Sequence, residues 1–389
     1  MTGLHAGPTN SLTDVAGIRV GHADRRGDGW LSGTTVVLAP DGGAVAGVDV
    51  RGGGPGTRET DLLDPRNQVE RVHAIVLSGG SAFGLAAADG VMQRLVDAGI
   101  GQAVGGPGEV VPIVPGAVIF DLGRGGDFSR RPGAVLGEEA YDAARSEPAR
   151  LQPADSESPG SESAGSESPG SEAAGSESVR PGGAGMVPTG AVGAGTGAVA
   201  GGLKGGVGSS SLVLADGTTV GVLVVVNSLG SCVDPNTGEL YAARFGLPGE
   251  FSGLLLPDPA EVAAARETAA AAAVPGAPHY ALATTIGVVA TDATLTKAQC
   301  AKVSGIAHSG MARAIRPVHT MFDGDTVFCL ATGERAAPDP LAFHAVLEAA
   351  GDCFTRAIGS AMLAADGVET PAGRWRSYRE VFPSAFRAS

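Results

Sequence analysis

Short apolar segments rich in β-branched residues alternate with glycine, proline and aspartate along the N-terminal third of the chain. This pattern predicts several short strands, the last of them in HAIVLSGG. Apolar residues from Leu85 to Leu95 then recur at helical spacing, which predicts a helix from about Ser81, with Gly99 just beyond its end. A second helix is predicted in GEEAYDAARS, around Tyr141.

The C-terminal half shows clearer element boundaries. SSSLVLADGTTVGVLVVVN predicts a hairpin that turns at Asp216 and Gly217. TTIGVVAT is a nearly continuous apolar run, typical of a strand buried on both faces. Thr296 and Gln299 form a capping-box pattern that begins a helix, and DTVFCLAT predicts a further strand. Asp339 followed by proline predicts the start of a long helix with one apolar face.

The order of these elements favours one class of architecture. Strands come in groups, with helices between the groups rather than after every strand, unlike the regular alternation of a doubly wound parallel sheet. Stacked antiparallel or mixed sheets with helices outside fit this order better. The pattern therefore predicts a layered α/β sandwich.

Composition excludes several classes of protein. The formal net charge of −14 argues against nucleic acid as a partner. The first residues lack the basic and apolar regions of a signal peptide, and no apolar run reaches the ~18 residues of a membrane span, so no membrane partner is expected. The four scattered cysteines form no CxxC pair, which fits a reduced, cytoplasmic protein.

Residues 153–178 differ from the rest of the chain. They repeat a unit of Gly, Ser, Glu, Ser and Pro or Ala, and they contain six acidic residues. Without large apolar side chains, such a segment cannot bury enough surface to offset the entropy of ordering it. We therefore expect a single domain over residues 1–389, interrupted by a disordered acidic repeat at 151–180.

The glycine-rich stretch at residues 193–211 contains a loose dinucleotide-binding pattern. It follows no convincing strand, and no acidic residue about 20 positions further on ends a second strand, so no nucleotide cofactor is expected. Lys204 is followed by Gly205, where a phosphate-binding loop requires Ser or Thr. A packed glycine turn is the simpler interpretation, although an enclosed lysine could still serve a site.

Ser81 lies between a predicted strand and a predicted helix, as the nucleophile of a serine hydrolase does. The G-x-S-x-G pattern fails at Phe83. A serine triad also needs a histidine, and the sequence around His279, His308 and His319 identifies none of them as its base. Ser81 is therefore interpreted first as a helix N-cap. The histidines form no ligand pair such as HExxH, so no metal site is expected.

Two aspartates and a threonine are the remaining candidates. Asp323 and Asp325 lie two positions apart before a strand, so on extended backbone they point the same way, as a solvated turn or a proton-handling pair. Thr284 begins an apolar strand, where threonine is common on propensity alone. It could become a nucleophile activated by its own α-amine only if the preceding peptide bond were cut. The Ala/Pro-rich connector at 256–279, expected to be exposed, would tolerate such a cut.

Eight stretches taken together favour the functional interpretation of these residues over the structural one. In chain order they read NSLTDVAGIRVGHA, GTTVVLAP, RGGGPGTRETDLLDP, VLSGGSAFGLAAADGV, VPIVPGAVIFDLG, GTGAVAGGLKGGVGSSS, TTIGVVATDATL and DGDTVFCLATG. In these stretches the chain resembles the family of L-aminopeptidase/D-esterases and β-aminopeptidases (peptidase family S58-like), and within it the threonine-type nylon-oligomer hydrolases. The resemblance implies a four-layer αββα sandwich similar to that of N-terminal-nucleophile hydrolases. It also implies a precursor that cuts itself before a serine or threonine.

Applied to this chain, the resemblance implies cleavage between Ala283 and Thr284, into an α chain of residues 1–283 and a β chain of residues 284–389. Thr284 would be the nucleophile and its new amine the general base. Asn227 would stabilise the oxyanion. The other implied site residues are Lys204, Tyr141, Asp323 and Asp325.

The implied activity is that of a self-processing amide hydrolase or aminopeptidase. Its substrates would be peptides or related amides with a free amine, and it would need no metal or organic cofactor. The acidic pair would hold the threonine amine and assist cleavage, the cut α and β chains would stay associated, and αβ units would form a homo-oligomer. One departure is Ala283, where nylon-oligomer hydrolases have Asn. Two alternatives stay open: a non-catalytic relative that is a scaffold or small-molecule binder, and a serine hydrolase that uses Ser81.

Overall fold

A computed structural model describes residues 4–146, 186–272 and 282–386. The acidic repeat at 151–180, which we expect to be disordered, lies outside these described residues. The strands within the described residues are β1 Arg19–Gly27, β2 Trp30–Leu38, β3 Ala44–Val50, β4 Thr57–Arg58, β5 Arg71–Val72, β6 Ala74–Ser78, β7 Gln102–Ala103, β8 Val110–Val111, β9 Gly116–Val118, β10 Val199–Ala200, β11 Leu203–Lys204, β12 Gly206–Val213, β13 Thr219–Val226, β14 Ile286–Ala293, β15 Thr326–Arg335, β16 Val368–Thr370 and β17 Gly373–Trp375. The α-helices are α1 Ala87–Asp97, α2 Ala134–Ser146, α3 Pro259–Ala272, α4 Lys297–Ala314, α5 Pro340–Ala364 and α6 Tyr378–Val381.

Two mixed sheets form the centre of the molecule. Sheet I has the strand order β12-β13-β14-β15-β3-β5, and sheet II has the order β1-β2-β6-β9-β4. Neighbouring strands are antiparallel except for β14 with β15 in sheet I and β6 with β9 in sheet II, which are parallel. The prediction of stacked mixed sheets is therefore confirmed.

Three apolar cores separate four layers. The core between the two sheets contains Leu77 of sheet II together with Ile286, Val288 and Phe328 of sheet I. A second core joins the other face of sheet I to α4 and α5, and a third joins the outer face of sheet II to α1 and α2. The order helices, sheet I, sheet II, helices is the αββα sandwich that the sequence led us to expect.

Most local signals of the C-terminal half are confirmed. β12 and β13 form the predicted hairpin, and Gly217 in its turn has a φ of 84°. Every residue of β14 is buried, as the apolar run predicted. The Thr296 side chain accepts from Gln299 N in a capping box at the start of α4, and Asp339 caps α5. These features depend on neighbouring residues alone, which is why the sequence revealed them.

Two expectations need correction. Ser81 is not the N-cap of α1: Gly80 precedes a 3₁₀ helix at Ser81–Ala86, and α1 begins only at Ala87. Gly80 and Ser81 have φ values of 82° and 52°, in the left-handed region, whereas a capping residue needs extended backbone. The segment 256–279 was expected to be an exposed connector. Its residues 256–270 are mostly exposed, as expected, but the segment contains α3, because its alanine-rich sequence favours a helix, and residues 273–279 lie outside the described residues.

Membrane crossing requires a helix that is both long and apolar. No helix within residues 4–146, 186–272 and 282–386 has both properties. Cys232, Cys300, Cys329 and Cys353 are all buried and all free thiols.

The core between the sheets should dominate stability. We expect Leu77→Ala, which removes a fully buried side chain from it, to lower the free energy of unfolding by about 2–5 kcal/mol. Leu341→Ala is the matched control, because Leu341 is 82% exposed, and it should change stability by no more than about 0.5 kcal/mol. Chemical denaturation measures both variants, and equal effects would contradict this assignment of the core.

Candidate active site

The register of sheet I gathers the candidate residues at one edge. β14 and β15 are parallel, with Ile286 paired to Thr326, so the residues that precede the two strands also lie side by side. An isolated bridge pairs Ala283 with Asp323 in the same direction. On the other side of β14, the end of β13 brings Asn227 to Thr284, whose N–H donates to the Asn227 main-chain oxygen at 2.6 Å.

Thr284 is nearly enclosed, with 5% of its surface exposed. Its Oγ1 donates a hydrogen bond to the carbonyl oxygen of Ala283 at 2.5 Å. The same oxygen accepts from Gly324 N at 2.9 Å. The hydroxyl therefore lies next to the peptide bond that precedes its own residue, and two donors polarise that carbonyl.

Both carboxylates of the acidic pair are buried, so the alternative of a solvated turn is wrong. Asp323 Oδ2 accepts from Thr320 N at 2.9 Å and from Thr320 Oγ1 at 2.6 Å, and Oδ1 accepts from Leu229 N at 3.4 Å. Asp325 Oδ1 accepts from Thr285 N at 2.8 Å. Asp325 thus holds the backbone of the residue that follows Thr284.

His319 holds the other oxygen of Asp325. Its Nδ1 lies 2.7 Å and its backbone N lies 3.1 Å from Asp325 Oδ2, and both donate because a carboxylate only accepts. The His319 ring packs edge-on against that of His308, with centroids 4.7 Å apart. Burial lowers the pKa of His308 to about 4, so this neighbour is uncharged at neutral pH. His308 Nε2 in turn lies 3.0 Å from the main-chain oxygen of Asp49.

Asn227 directly follows β13 and is fully buried. Its Oδ1 accepts from Arg124 Nη1 at 2.6 Å and from Val199 N at 3.0 Å. Nδ2 makes one long contact, 3.4 Å to the Phe120 oxygen. Because two donors fix Oδ1, the amide cannot flip, and one Nδ2 proton remains available to an acceptor.

Two charged groups that interact electrostatically, Arg124 and Asp121, stand behind this amide. Burial lowers the pKa of the Arg124 guanidinium, whereas the nearby Asp121 carboxylate acts to raise it. Burial raises the pKa of Asp121, against the hydrogen bonds it accepts from Gly80 N at 2.6 Å and Ser32 Oγ at 2.7 Å. Each charge is thus partly compensated, and Arg124 keeps a donor on the asparagine amide.

Lys204 is fully buried next to this pair. Its Nζ donates to the carbonyls of Gly195, Ala198 and Gly205 at 2.9, 3.0 and 2.7 Å. Burial lowers the pKa of this amine well below its usual value, and the Arg124 charge lowers it further. The three carbonyls oppose that shift, since only the ammonium form has three protons to donate. Lys204 therefore holds the glycine-rich loop together.

Tyr141 lies apart from the other implied site residues. It belongs to α2, and it packs with Val36 and Leu38 in the core between sheet II and its helices. Arg145 and Asp41 are among the charged groups around its hydroxyl. The structure does not bring Tyr141 together with the residues at the edge of sheet I, and its implied role rests on the resemblance alone.

Sequence reasoning missed three polar residues of this site. Asp121 lies near the end of one of the stretches that carry the resemblance, and Arg124 directly follows that stretch, but neither was singled out there, and His319 was considered only as the base of a serine triad. The backbone strain at His319, with a φ of 57°, is visible only in the structure. Among the residues that the structure describes, no group of three or more His, Cys, Asp or Glu side chains could hold a metal ion.

Comparison with known proteins supports the implied family. An uncharacterized aminopeptidase of Mycobacterium leprae is 46% identical over 404 residues, which cover 98% of this chain and 97% of that protein. A 6-aminohexanoate-oligomer endohydrolase of Kocuria sp. is less similar, with 27% identity over 346 residues that cover 84% of this chain and 76% of that protein.

A solved structure and a family model complete the comparison. The L-aminopeptidase D-Ala-esterase/amidase from Ochrobactrum anthropi, described as a new variant among the Ntn hydrolase fold, has a TM-score of 0.64 at 20% identity and covers 97% of this chain and 93% of its own. This likeness supports the fold. The model of Peptidase family S58 matches residues 10–150 and 161–376. The chain therefore belongs to peptidase family S58 and is a peptide-bond hydrolase.

Proposed function

We propose that this peptidase is an aminopeptidase that first cuts its own chain between Ala283 and Thr284 and then uses Thr284 as its nucleophile. One observation supports this proposal above all others. The Thr284 hydroxyl lies 2.5 Å from the carbonyl oxygen of the bond to be cut, and Gly324 N donates to that oxygen at 2.9 Å. Acyl transfer requires attack on the carbonyl carbon, and this contact places the hydroxyl next to the polarised carbonyl that it would attack.

Self-cleavage on this scheme is an N-to-O acyl shift. Thr284 Oγ1 bonds to the carbonyl carbon of Ala283, and the resulting oxyanion is held by the Gly324 N–H. The C–N bond then breaks while the Thr284 nitrogen takes up the proton that left Oγ1. Water hydrolyses the ester, which leaves a carboxylate on Ala283 and a free amine on Thr284.

Substrate turnover repeats the attack with a different base. The new α-amine of Thr284 accepts the proton from Oγ1 as the hydroxyl attacks the substrate carbonyl. Asn227 Nδ2 and the Gly324 N–H donate to the oxyanion, with Arg124 and Val199 N holding the asparagine amide in place. The leaving amine takes up the proton, and water hydrolyses the acyl-enzyme.

The topology of sheet I supports continued association of the two products. The β chain would contribute β14 and β15, and the α chain would contribute the strands on either side of them, β13 and β3. Cutting before β14 leaves all these ladders intact. Assembly of the αβ units into a homo-oligomer remains a prediction.

Thr284→Ala tests the nucleophile. We expect this variant to remain one chain of 38.4 kDa, while the unaltered protein gives fragments of about 28 and about 10 kDa, in proportion to residues 1–283 and 284–389. N-terminal sequencing of the smaller fragment should begin at Thr284. Amidase activity should fall by about 10⁴-fold or more.

Two controls separate this scheme from the alternatives. Thr284→Ser keeps a hydroxyl and should still cleave, whereas Ser81→Ala removes the other candidate nucleophile and should change neither cleavage nor turnover. An uncut chain that hydrolyses amides, or loss of activity in Ser81→Ala with normal cleavage, would contradict the assignment of Thr284. An uncut and inactive natural chain would support a non-catalytic relative.

Asn227→Asp tests the oxyanion donor with little change of shape. The carboxylate still accepts from Arg124 and Val199 N, but it has no proton to donate and adds negative charge. We expect kcat to fall by about 10²–10³-fold, the effect of losing one oxyanion donor. Steady-state kinetics on an aminoacyl anilide measure it. A kcat within threefold of the unaltered enzyme would exclude this role.

His319 variants test whether Asp325 must be held in place. His319→Ala removes the Nδ1 donor and should slow self-cleavage by about 10²-fold, because the threonine backbone loses its alignment. His319→Asn is the matched variant: its amide can donate from nearly the position of Nδ1, and Asn tolerates the positive φ of this residue. We expect Asn to restore most of the rate. Equal rates in Ala and Asn variants that both fold would disprove a positioning role.

A further inference from the structure

The residue to be cut away is held like a bound substrate. Ala283 N donates to the carbonyl of Phe322 at 2.9 Å, and Ala283 O accepts from Gly324 N at 2.9 Å. These two hydrogen bonds hold the main chain of Ala283 at its nitrogen and at its carbonyl oxygen. We call the pair formed by Phe322 O and Gly324 N the main-chain clamp.

The clamp also fixes the carbonyl at the reacting position. The oxygen that Gly324 N holds is the one that contacts Thr284 Oγ1 at 2.5 Å. Any other acyl group attacked by this hydroxyl must bring its carbonyl close to the same place, since Thr284 is held by the ladders on both sides of β14. The position of Ala283 is therefore the position of the acyl group in general.

Ala283 is enclosed at this position, whereas the residue before it is not. Ala283 is 6% exposed, whereas the preceding residue, Leu282, is 39% exposed. The loop at residues 52–54 packs directly behind the clamp and keeps it from moving away from Ala283. Gly54 N donates to Asp323 O at 2.9 Å, and a Cβ on Gly52 would come within 2.2 Å of the same oxygen. The groups that surround Ala283 on this side are therefore mostly backbone atoms held in place by hydrogen bonds.

Glycine at position 324 is required by this arrangement. A Cβ on Gly324 would lie 2.8 Å from Thr284 Oγ1 and 2.7 Å from the Gly54 carbonyl oxygen. Both distances are shorter than ordinary contacts, so any side chain would push the amide away from the carbonyl or displace the hydroxyl. The bare backbone lets nucleophile and amide donor approach the same oxygen.

We propose that the main-chain clamp is the acyl subsite of the mature enzyme, and that Ala283 occupies it in the uncut chain as the first substrate. After cleavage, residue 283 leaves the clamp. The N-terminal residue of a peptide then takes its place, with its amine donating to Phe322 O and its carbonyl accepting from Gly324 N. This inference rests on the proposed function and adds the site that binds the acyl residue.

The test compares two rank orders measured on different molecules. In the first series Ala283 is changed to Gly, Ser, Val and Phe, and cleavage of each precursor is timed after pulse-labelled cell-free translation. In the second series the mature natural enzyme, which contains none of these changes, is assayed for kcat/KM on the p-nitroanilides of Gly, Ala, Ser, Val and Phe. A shared subsite predicts the same order in both series, with steps of about 10-fold or more between well and poorly accepted side chains.

Leu282 provides the control position. Its side chain lies largely outside the enclosed space, so the same four substitutions there should change the cleavage rate by less than threefold. Each Ala283 variant is also made with Thr284→Ala, and its melting temperature identifies any chain that fails to fold. Gly and Ser at position 283 add at most one heavy atom to the natural alanine. If the larger residues prevent folding, the two rank orders can still be compared for Gly, Ala and Ser.

A second substrate pair tests the amine half of the clamp. Propionyl p-nitroanilide is alanine p-nitroanilide with the amine replaced by hydrogen, so it cannot donate to Phe322 O. We expect its kcat/KM to be at least about 10²-fold lower than that of alanine p-nitroanilide, because the carbonyl of Phe322 is left without a donor.

The possible outcomes are distinct. Unrelated rank orders, or equal rates for the two anilides, would overturn the shared subsite while leaving self-cleavage and turnover intact. Absence of cleavage in the natural chain would instead overturn the proposed function. Agreement of the two orders together with a penalty for the propionyl substrate supports the clamp.

Discussion

The parallel pairing of β14 with β15 is the constraint on which the rest of the site depends. It places Ala283 beside Asp323 and lets Asp325 reach Thr285 N, because both strands begin in the same register. Both strands are buried in the centre of sheet I, with apolar side chains alternating between two cores. A slip of one residue would turn each set of side chains toward the wrong core. The packing of the sandwich therefore enforces the same register that the site requires.

Burial gives the polar groups of this site their strength and also their cost. The Arg124 guanidinium loses solvation on burial, and the Asp121 charge and the hydrogen bonds to Gly197 O and Asn227 Oδ1 offset part of that loss. The result is a charged donor fixed against Asn227 before any substrate arrives. Preorganised donors of this kind need no reorientation as negative charge develops, and this is the main source of their catalytic effect. Rigid layers on both sides of the sheets keep the arrangement from relaxing.

The parts of the fold that follow from neighbouring residues could be predicted from the sequence. The hairpin at Gly217, the capping box at Thr296 and the buried run of β14 are of this kind, and the pair Asp323 and Asp325 was identified by its spacing before a strand. Arg124 and His319 could not be found in this way, because only tertiary contacts bring them to Asn227 and Asp325. Ser81 was misread as a cap because its own left-handed backbone, with a φ of 52°, is uncommon for a residue other than glycine and leaves no local sequence signal. The buried packing of Tyr141 in an outer helical layer likewise depends on the whole fold.

On the proposed scheme, one nucleophile serves two reactions that need different bases. In the uncut chain the Thr284 nitrogen is an amide that donates to Asn227 O, so it cannot accept the proton of Oγ1. The first reaction must therefore draw on the buried groups around it, among them Asp325, which accepts from Thr285 N and contacts His319. Once the amine exists it takes over as base, and the acidic pair is left to balance its charge. Neither task requires the carboxylates to contact substrate, and this accounts for an acidic pair that is buried and hydrogen-bonded.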